Sequence, residues 1–326
     1  MSAKDLLKSS AFMMSIALVV ALLTNFSGMF PSEVLTSSVR SNVTVFLLAV
    51  MMTLSLSRIP YRNLNPVTHW RSVLRALVLG LVVSSIIPLI GYLLLKGTEH
   101  NVEAMGLVFI AATPFAASVA PLSYILRGDM EHAARGTIFV YIASLVWIPF
   151  IVWITLGEYV DITQVAVTVV EVIGVPLVVS RLLTRFEIGK DFMAVFMNVC
   201  IFVLVWLSVS STLFPSDVWI LVAFAAIAAI RSFGLGNAVE VAERRAGINW
   251  SQRVTDILMT SYKNKGIAIA MCVATLGPLA GQAMVAIATS VVVEILWVIF
   301  MDSVLFSRRR MERELARESG GSAGAD

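Results

Sequence analysis

The chain has 326 residues, of which 58% are apolar and 14% charged, with a formal net charge of +3 and a mean hydropathy of +0.88. A soluble domain carries roughly 25% charged residues; a shortfall this large has to be spread over many apolar stretches, which makes the chain a polytopic membrane protein. A soluble enzyme, a disordered protein and a nucleic-acid binder are excluded, and Cys200 and Cys272, both inside apolar runs, can build neither a disulfide framework nor a thiolate metal site.

A helical span needs about 20 mostly apolar residues. Such stretches occur at 10–30, 42–57, 73–95, 104–125, 134–157, 162–181, 192–213, 218–240, 254–276 and 279–306. Lys4 and Lys8 precede the first, but no small-residue cleavage site follows them, so it reads as a span and not a removable leader. Turn residues separate the spans, as at Phe30-Pro31, Pro60-Tyr61-Arg62-Asn63 and Phe214-Pro215-Ser216-Asp217. Trp70, Trp219 and Trp250 sit near span ends and read as interface anchors. Gly234 and Gly236 in the eighth span permit close helix contact. The Gly/Ser/Ala-rich tail from Ser319 to Asp326 reads as disordered.

The basic residues set the orientation. One side of the membrane receives nineteen of the 24 lysines and arginines, from Lys4 and Lys8 through Arg58, Arg75, Arg135, Arg181 and Arg253 to Arg317. The other receives Arg40 and Lys96. By the positive-inside rule both termini are cytoplasmic, in the plasma (inner) membrane, and the number of spans is even. Arg308 to Arg310, directly after the last span, anchor it at anionic headgroups.

Ten spans divide into two sets of five, and an odd number per half gives the halves opposite orientation. The expected fold is therefore all-α, with two inverted five-helix repeats at 1–157 and 158–306 and a basic, disordered cytoplasmic tail at 307–326. Transporters built this way place their sites at discontinuous helices in corresponding positions. The fourth span holds Ala112-Thr113-Pro114 and then Ala120-Pro121; the ninth holds the polar run Thr260-Ser261-Tyr262-Lys263-Asn264-Lys265-Gly266. These are the predicted breaks.

Five ionisable residues fall near the middle of spans: Glu171, Arg231, Lys263, Lys265 and Glu294. A charge at the centre of a span costs about 2.5–3.5 kcal/mol, so five need mutual compensation or a water-filled cavity, and a functional site is the default reading. A buried ion-pair lattice that merely fixes packing is the bland alternative, and it fits Arg231 with Glu294 as well as a site does. Two residues apart on a regular helix, Lys263 and Lys265 would face nearly opposite ways, so one points at the cavity, and Lys263 is the favoured one. Glu171 is the candidate cavity carboxylate, since no base shares its helix at that depth. Three bases against two acids suit an anionic substrate. His69, His100 and His132 lie in or near loops, far apart along the chain, and no cluster has metal-ligand spacing, so no metal and no cofactor is expected.

The residues now reached resemble the bile acid:sodium symporter family, within the wider bile/arsenite/riboflavin transporter superfamily. The likeness covers nearly the whole chain in span number, orientation and broken spans. The stretch from Val45 to Leu56 is similar to the family's second span. Ala112-Thr113-Pro114-Phe115-Ala116-Ala117-Ser118-Val119-Ala120, then Tyr124-Ile125-Leu126-Arg127-Gly128-Asp129, is similar to the fourth. Asn264-Lys265-Gly266-Ile267-Ala268 is similar to the family's Asn-x-Gly-Leu-Ala stretch in the ninth.

The departures concern sodium. Where sodium-using members carry a Ser-Asn pair this chain has Val119 and Ala120; their Glu becomes Met259, their Gln becomes Lys263, and a Ser becomes Ala133, while Thr137 survives. A hard cation needs oxygen ligands, so the resemblance implies the fold without the sodium site, with the Lys263 ammonium in the ion's place. It implies a secondary transporter moving a small organic anion through the bilayer by alternating access. Thr113, Pro114, Ser118, Thr137 and Asn264 line the substrate and ion site, and Arg231, Lys265 and Glu294 form a charge network at midplane. Glu171 and Lys263 are the candidates for a proton-coupling group. Arsenite transport fits poorly, since the fourth span offers no cysteine. A sodium-dependent symporter of the same family and a non-transporting sensor are the alternatives. A channel would need a continuous polar lining, and an intramembrane enzyme an acid–base pair such as Glu171 with Lys263.

Overall fold

A computed structural model describes residues 10–59, 68–184, 186 and 189–322. Lys4, Lys8, Arg62, Arg185, the turn at 60–63 and the last tail residues, 323–326, lie outside the described residues. The described chain is helical apart from loops and one isolated backbone bridge. In lipid each buried N–H and C=O has to be satisfied within the chain, and a helix does this segment by segment.

The helices in chain order are α1 (Ser10–Phe26), α2 (Ser37–Ser57), α3 (Trp70–Leu95), α4 (Asn101–Ala112), α5 (Val119–Ile125), α6 (Met130–Leu156) and α7 (Ile162–Leu183). Then follow α8 (Lys190–Ser210), α9 (Val218–Arg245), α10 (Trp250–Ser261), α11 (Lys265–Leu276), α12 (Ala280–Phe300) and α13 (Arg308–Ser322). Seven helical segments are long and apolar enough to cross a membrane, with 265–305 counted as one; Ser15–Phe26 and Asn101–Ala112 are shorter and apolar. The chain is an integral membrane protein. Its exposed apolar side chains, such as Leu94, Val146 and Val178, face outward as a lipid solvent requires.

Helix starts follow capping chemistry. Asp129, Asp161, Asp217, Asn249 and Asn264 each accept a backbone N–H of the first turn they precede. The tail differs from the expectation: α13 runs on to Ser322, into the stretch read as disordered. Its Met311 and Leu315 pack on the cluster that holds Trp250 and Phe306. Trp250 is also displaced from its expected role, being 1% exposed and stacked edge-on against Phe306. Trp70 and Trp219 are exposed.

Two sets of helices emerge from the packing. α1 lies on α8, and α2 on α7 and α8. α3 packs on α4 and α6, and α12 on α4, α9 and α11. α11 touches both sets, through α2 and α7 on one side and α4 and α12 on the other. The π-helical turns Val78–Val83 in α3 and Ile230–Gly234 in α9 widen those helices beside the point where α4/α5 and α10/α11 meet.

Candidate functional site: the crossing of two broken helices

Both predicted breaks are present. α4 stops at Ala112 because Pro114 has no N–H to continue the ladder and biases the residue before it away from the helical region; Thr113 is extended, with φ −73° and ψ 150°. The second break is narrower than the polar run that foretold it. It covers Tyr262, Lys263 and Asn264, with Tyr262 at φ −121°, ψ 93°.

The two breaks lie against each other and pair as antiparallel backbone. Ala116 N–H donates to Tyr262 O, and Asn264 N–H to Pro114 O, each at 2.9 Å, which bridges Phe115 and Lys263. Groups freed by each break are thus satisfied by the other. Phe115 is fully buried and reaches so close to α3 that a Cβ at Gly80 would lie 2.6 Å from its ring. Its carbonyl accepts from Tyr141, whose hydroxyl accepts from Asn264 Nδ2 at 2.9 Å. Asn264 Oδ1 caps α11 at Ile267 N–H.

The Lys263 side chain is 1% exposed and lies in a cradle of oxygens. Nζ donates to Thr113 O at 2.6 Å and Ala111 O at 3.0 Å, with Ser85 Oγ at 3.3 Å and Gly80 O at 3.4 Å. Three carbonyls and a hydroxyl, from α3 and the first break, surround one ammonium. Lys265 turns the other way, its Nζ 3.1 Å from Glu294 Oε1. The same carboxylate oxygen is bonded by Arg231 and approached by Lys263 N–H at 3.4 Å. Arg231 also donates to Ser261 O at 3.0 Å and Ser232 Oγ at 2.9 Å. Two cations, Arg231 and Lys265, therefore share one carboxylate at the crossing, and Lys263 meets it with its backbone N–H alone.

The other expected residues are placed as follows. Thr113 is buried and its hydroxyl donates to Ile110 O. Pro114 supplies the carbonyl of the bridge. Ser118 is half-buried at the start of α5. Thr137 is buried but spends its hydroxyl on Ala133 O, one turn back in α6. Glu171 does not join the cluster: it is exposed, in a π-helical turn of α7 on a flank shared with Val167, Val170, Val175 and Val178. Gly236 meets its expectation, since a Cβ there would lie 2.5 Å from the Trp297 ring, while at Gly234 it would meet only its own helix.

Two further groups of charges carry little warning in the order of residues. His132, read as a loop histidine, is 2% exposed and bonded to Asp256, which is fully buried. Asp256 lies two residues inside the stretch 254–276, so a search for acids within spans would have found it. Arg253, counted among the topology charges, is buried and bound by Glu240 and Glu314. Glu314, on α13, is pushed up by its partial burial, but the Arg253 hydrogen bond and the charges of Arg244, Arg253 and Arg317 outweigh this and hold it below the usual carboxylate range. Among the described residues no His, Cys, Asp and Glu are grouped so as to hold a metal ion.

A membrane protein of helices, with two of them interrupted and paired across a buried cationic cluster, has the build of a solute carrier. The chain belongs to the sodium bile acid symporter family, whose model matches residues 45–229; members of this family are transporters and not enzymes. A comparison with curated proteins returns no match.

Proposed function

We propose that the protein is a secondary transporter that moves a small organic anion by alternating access, with the Lys263 ammonium standing in for a coupling sodium ion. In this reading the chain crosses the plasma membrane ten times as two inverted five-helix repeats, 1–157 and 158–306. The tail 307–326 and both termini are cytoplasmic. α4/α5 and α10/α11 are the fourth span of each half. The observation that carries the reading is the oxygen cradle around Lys263 Nζ at the crossing. Carbonyls and hydroxyls are the kind of ligand that a hard cation takes, and here a tethered ammonium takes them. The excess of cations over carboxylate in the same cluster favours an anionic cargo.

The test is uptake of radiolabelled organic anions into sealed proteoliposomes, with sodium or potassium as the salt, for wild type and Lys263→Ala. Wild-type uptake equal in the two salts is expected, with loss of uptake in Lys263→Ala. Sodium-stimulated uptake that survives Lys263→Ala unchanged overturns the replacement.

A further inference from the structure

Apart from the crossing, α3, α6, α9 and α10 bring Ser72, Arg75, His132, Glu243 and Asp256 together. His132 Nε2 lies 2.8 Å from Asp256 Oδ1, and Nδ1 lies 2.6 Å from the Ser72 hydroxyl. Arg75 reaches Asp256 Oδ2 with Nε at 2.7 Å and Glu243 Oε1 with a terminal nitrogen at 2.6 Å. The other charges near His132 come from its own helix and the loop before it. Asp129 accepts the His132 backbone N–H. Arg135 bonds Glu131 at 3.1 Å and points Nε at Ser72 Oγ at 3.4 Å. α5 contributes only Tyr124, 71% exposed, and Arg127 after it is exposed.

The charge count is uneven. Two buried carboxylates, Asp256 and Glu243, share the single guanidinium of Arg75. A buried carboxylate lacking its full counter-charge is costly, and a proton on the imidazole removes the deficit. Histidine is the side chain suited to gain that charge near neutral pH. Both forms fit without moving a heavy atom. In the neutral ring Nε2–H donates to Asp256, and Nδ1 accepts from Ser72, whose oxygen accepts from Arg135. In the charged ring Nδ1–H donates to Ser72 Oγ instead, since a hydroxyl serves as donor or acceptor.

We propose that His132, Asp256, Glu243 and Arg75 form a proton-binding site, with the proton held on the His132 imidazole between Asp256 and Ser72. Arg75 has a side chain 28% exposed, so the site is not sealed from its surroundings. Asp256 lies on α10, seven residues before Lys263, so a change of charge there acts on the helix that leads into the crossing. The proton site does not depend on transport; its use as the coupling ion's site rests on the proposed function.

The direct test is the ring ¹⁵N spectrum of histidine-labelled protein in nanodiscs, with the His132 signals assigned by their loss in His132→Gln. Lowering the pH from about 8 to about 5 should protonate the His132 ring. Asp256→Asn should weaken its proton affinity by about tenfold or more, because it removes a negative partner in contact. Ser72→Ala should weaken it less, in the same direction. A ring that stays neutral throughout overturns the site, as does an Asp256→Asn protein that melts like wild type and binds the proton equally well. Should Asp256→Asn not fold, wild-type affinity in Ser72→Ala overturns it. In proteoliposomes, labelled organic-anion uptake driven by an inward proton gradient, and made gradient-independent by His132→Gln, supports the coupling role. A titrating His132 with no anion uptake under any gradient supports the proton site and overturns the transporter reading.

Discussion

The crossing and the His132–Asp256 cluster are both buried and charged, yet they are balanced in opposite senses. At the crossing Arg231 and Lys265 share the lone carboxylate of Glu294, with the Lys263 side chain held among carbonyls beside them. At the other cluster Asp256 and Glu243 surround the lone guanidinium of Arg75. The first carries an excess of basic groups and the second an excess of carboxylates. The means of support differ as well. The crossing leans on backbone: paired amides, carbonyls aimed at Lys263, and the Ser261 carbonyl on Arg231. The second cluster is side chain to side chain, and its members can exchange partners.

The comparison is broken most forcefully at Glu294. Glu294→Gln leaves Arg231 and Lys265 buried without a counter-charge and should cost about 3–5 kcal/mol, read as the loss of unfolding free energy in detergent. Glu243→Gln should cost clearly less, because Arg75 keeps Asp256. Equal costs would mean that the two clusters are not balanced as described. Next comes Lys263→Met, which keeps the bulk but removes the donor from the carbonyls of Thr113 and Ala111. Unsatisfied buried acceptors cost about 1–3 kcal/mol each, and the melting temperature should fall accordingly. A smaller effect separates two glycines near the crossing. Gly236→Ala drives a methyl into the Trp297 ring and should cost about 1–3 kcal/mol, whereas Gly234→Ala should be neutral or stabilising. Melting curves of the two variants side by side decide it.

The smallest effect concerns α13. The Glu314 carboxylate is held below its ordinary range by Arg253 and its basic neighbours, against burial. A depressed carboxylate stabilises the fold above its unfolded-state pKa, and that contribution fades as the pH falls through the folded-state value. Proteolytic cleavage of α13 should therefore stay slow near neutrality and accelerate at acid pH in wild type. In Glu314→Gln cleavage should already be fast near neutrality. A Glu314→Gln tail as resistant as wild type would show that Met311 and Leu315 hold the helix by themselves.

The apolar helical character and both breaks were legible because their signals are local. A run of apolar residues or an internal Pro114 acts within a few positions. Arg231 with Glu294 could be paired from depth alone. The misjudged residues are those whose role depends on which way a helix turns or on a distant partner. Glu171 falls mid-way along its apolar stretch, but it shares a flank with exposed valines, and position along a helix says nothing of facing. His132 and Asp256 are 124 residues apart. Arg75 and Arg253 count in the sequence as topology charges and are tied into ion networks in the fold, so one signal hid another. Trp250 faces inward because α13 folds back over it, Glu318 accepting its backbone N–H at 2.6 Å.

The bridge between the two breaks carries a consequence for how such a protein can change. Its hydrogen bonds run from Ala116 N–H to Tyr262 O and from Asn264 N–H to Pro114 O, and none of them reads a side chain. The strands stay joined whatever residues stand at 119, 120, 259 or 263, so long as the Pro114 and Asn264 breaks persist. Val119, Ala120 and Met259 can then be exchanged for other side chains without unmaking the joint. A lineage holding such a joint is free to vary the side chains around it one at a time, since the form of the crossing is inherited through the main chain.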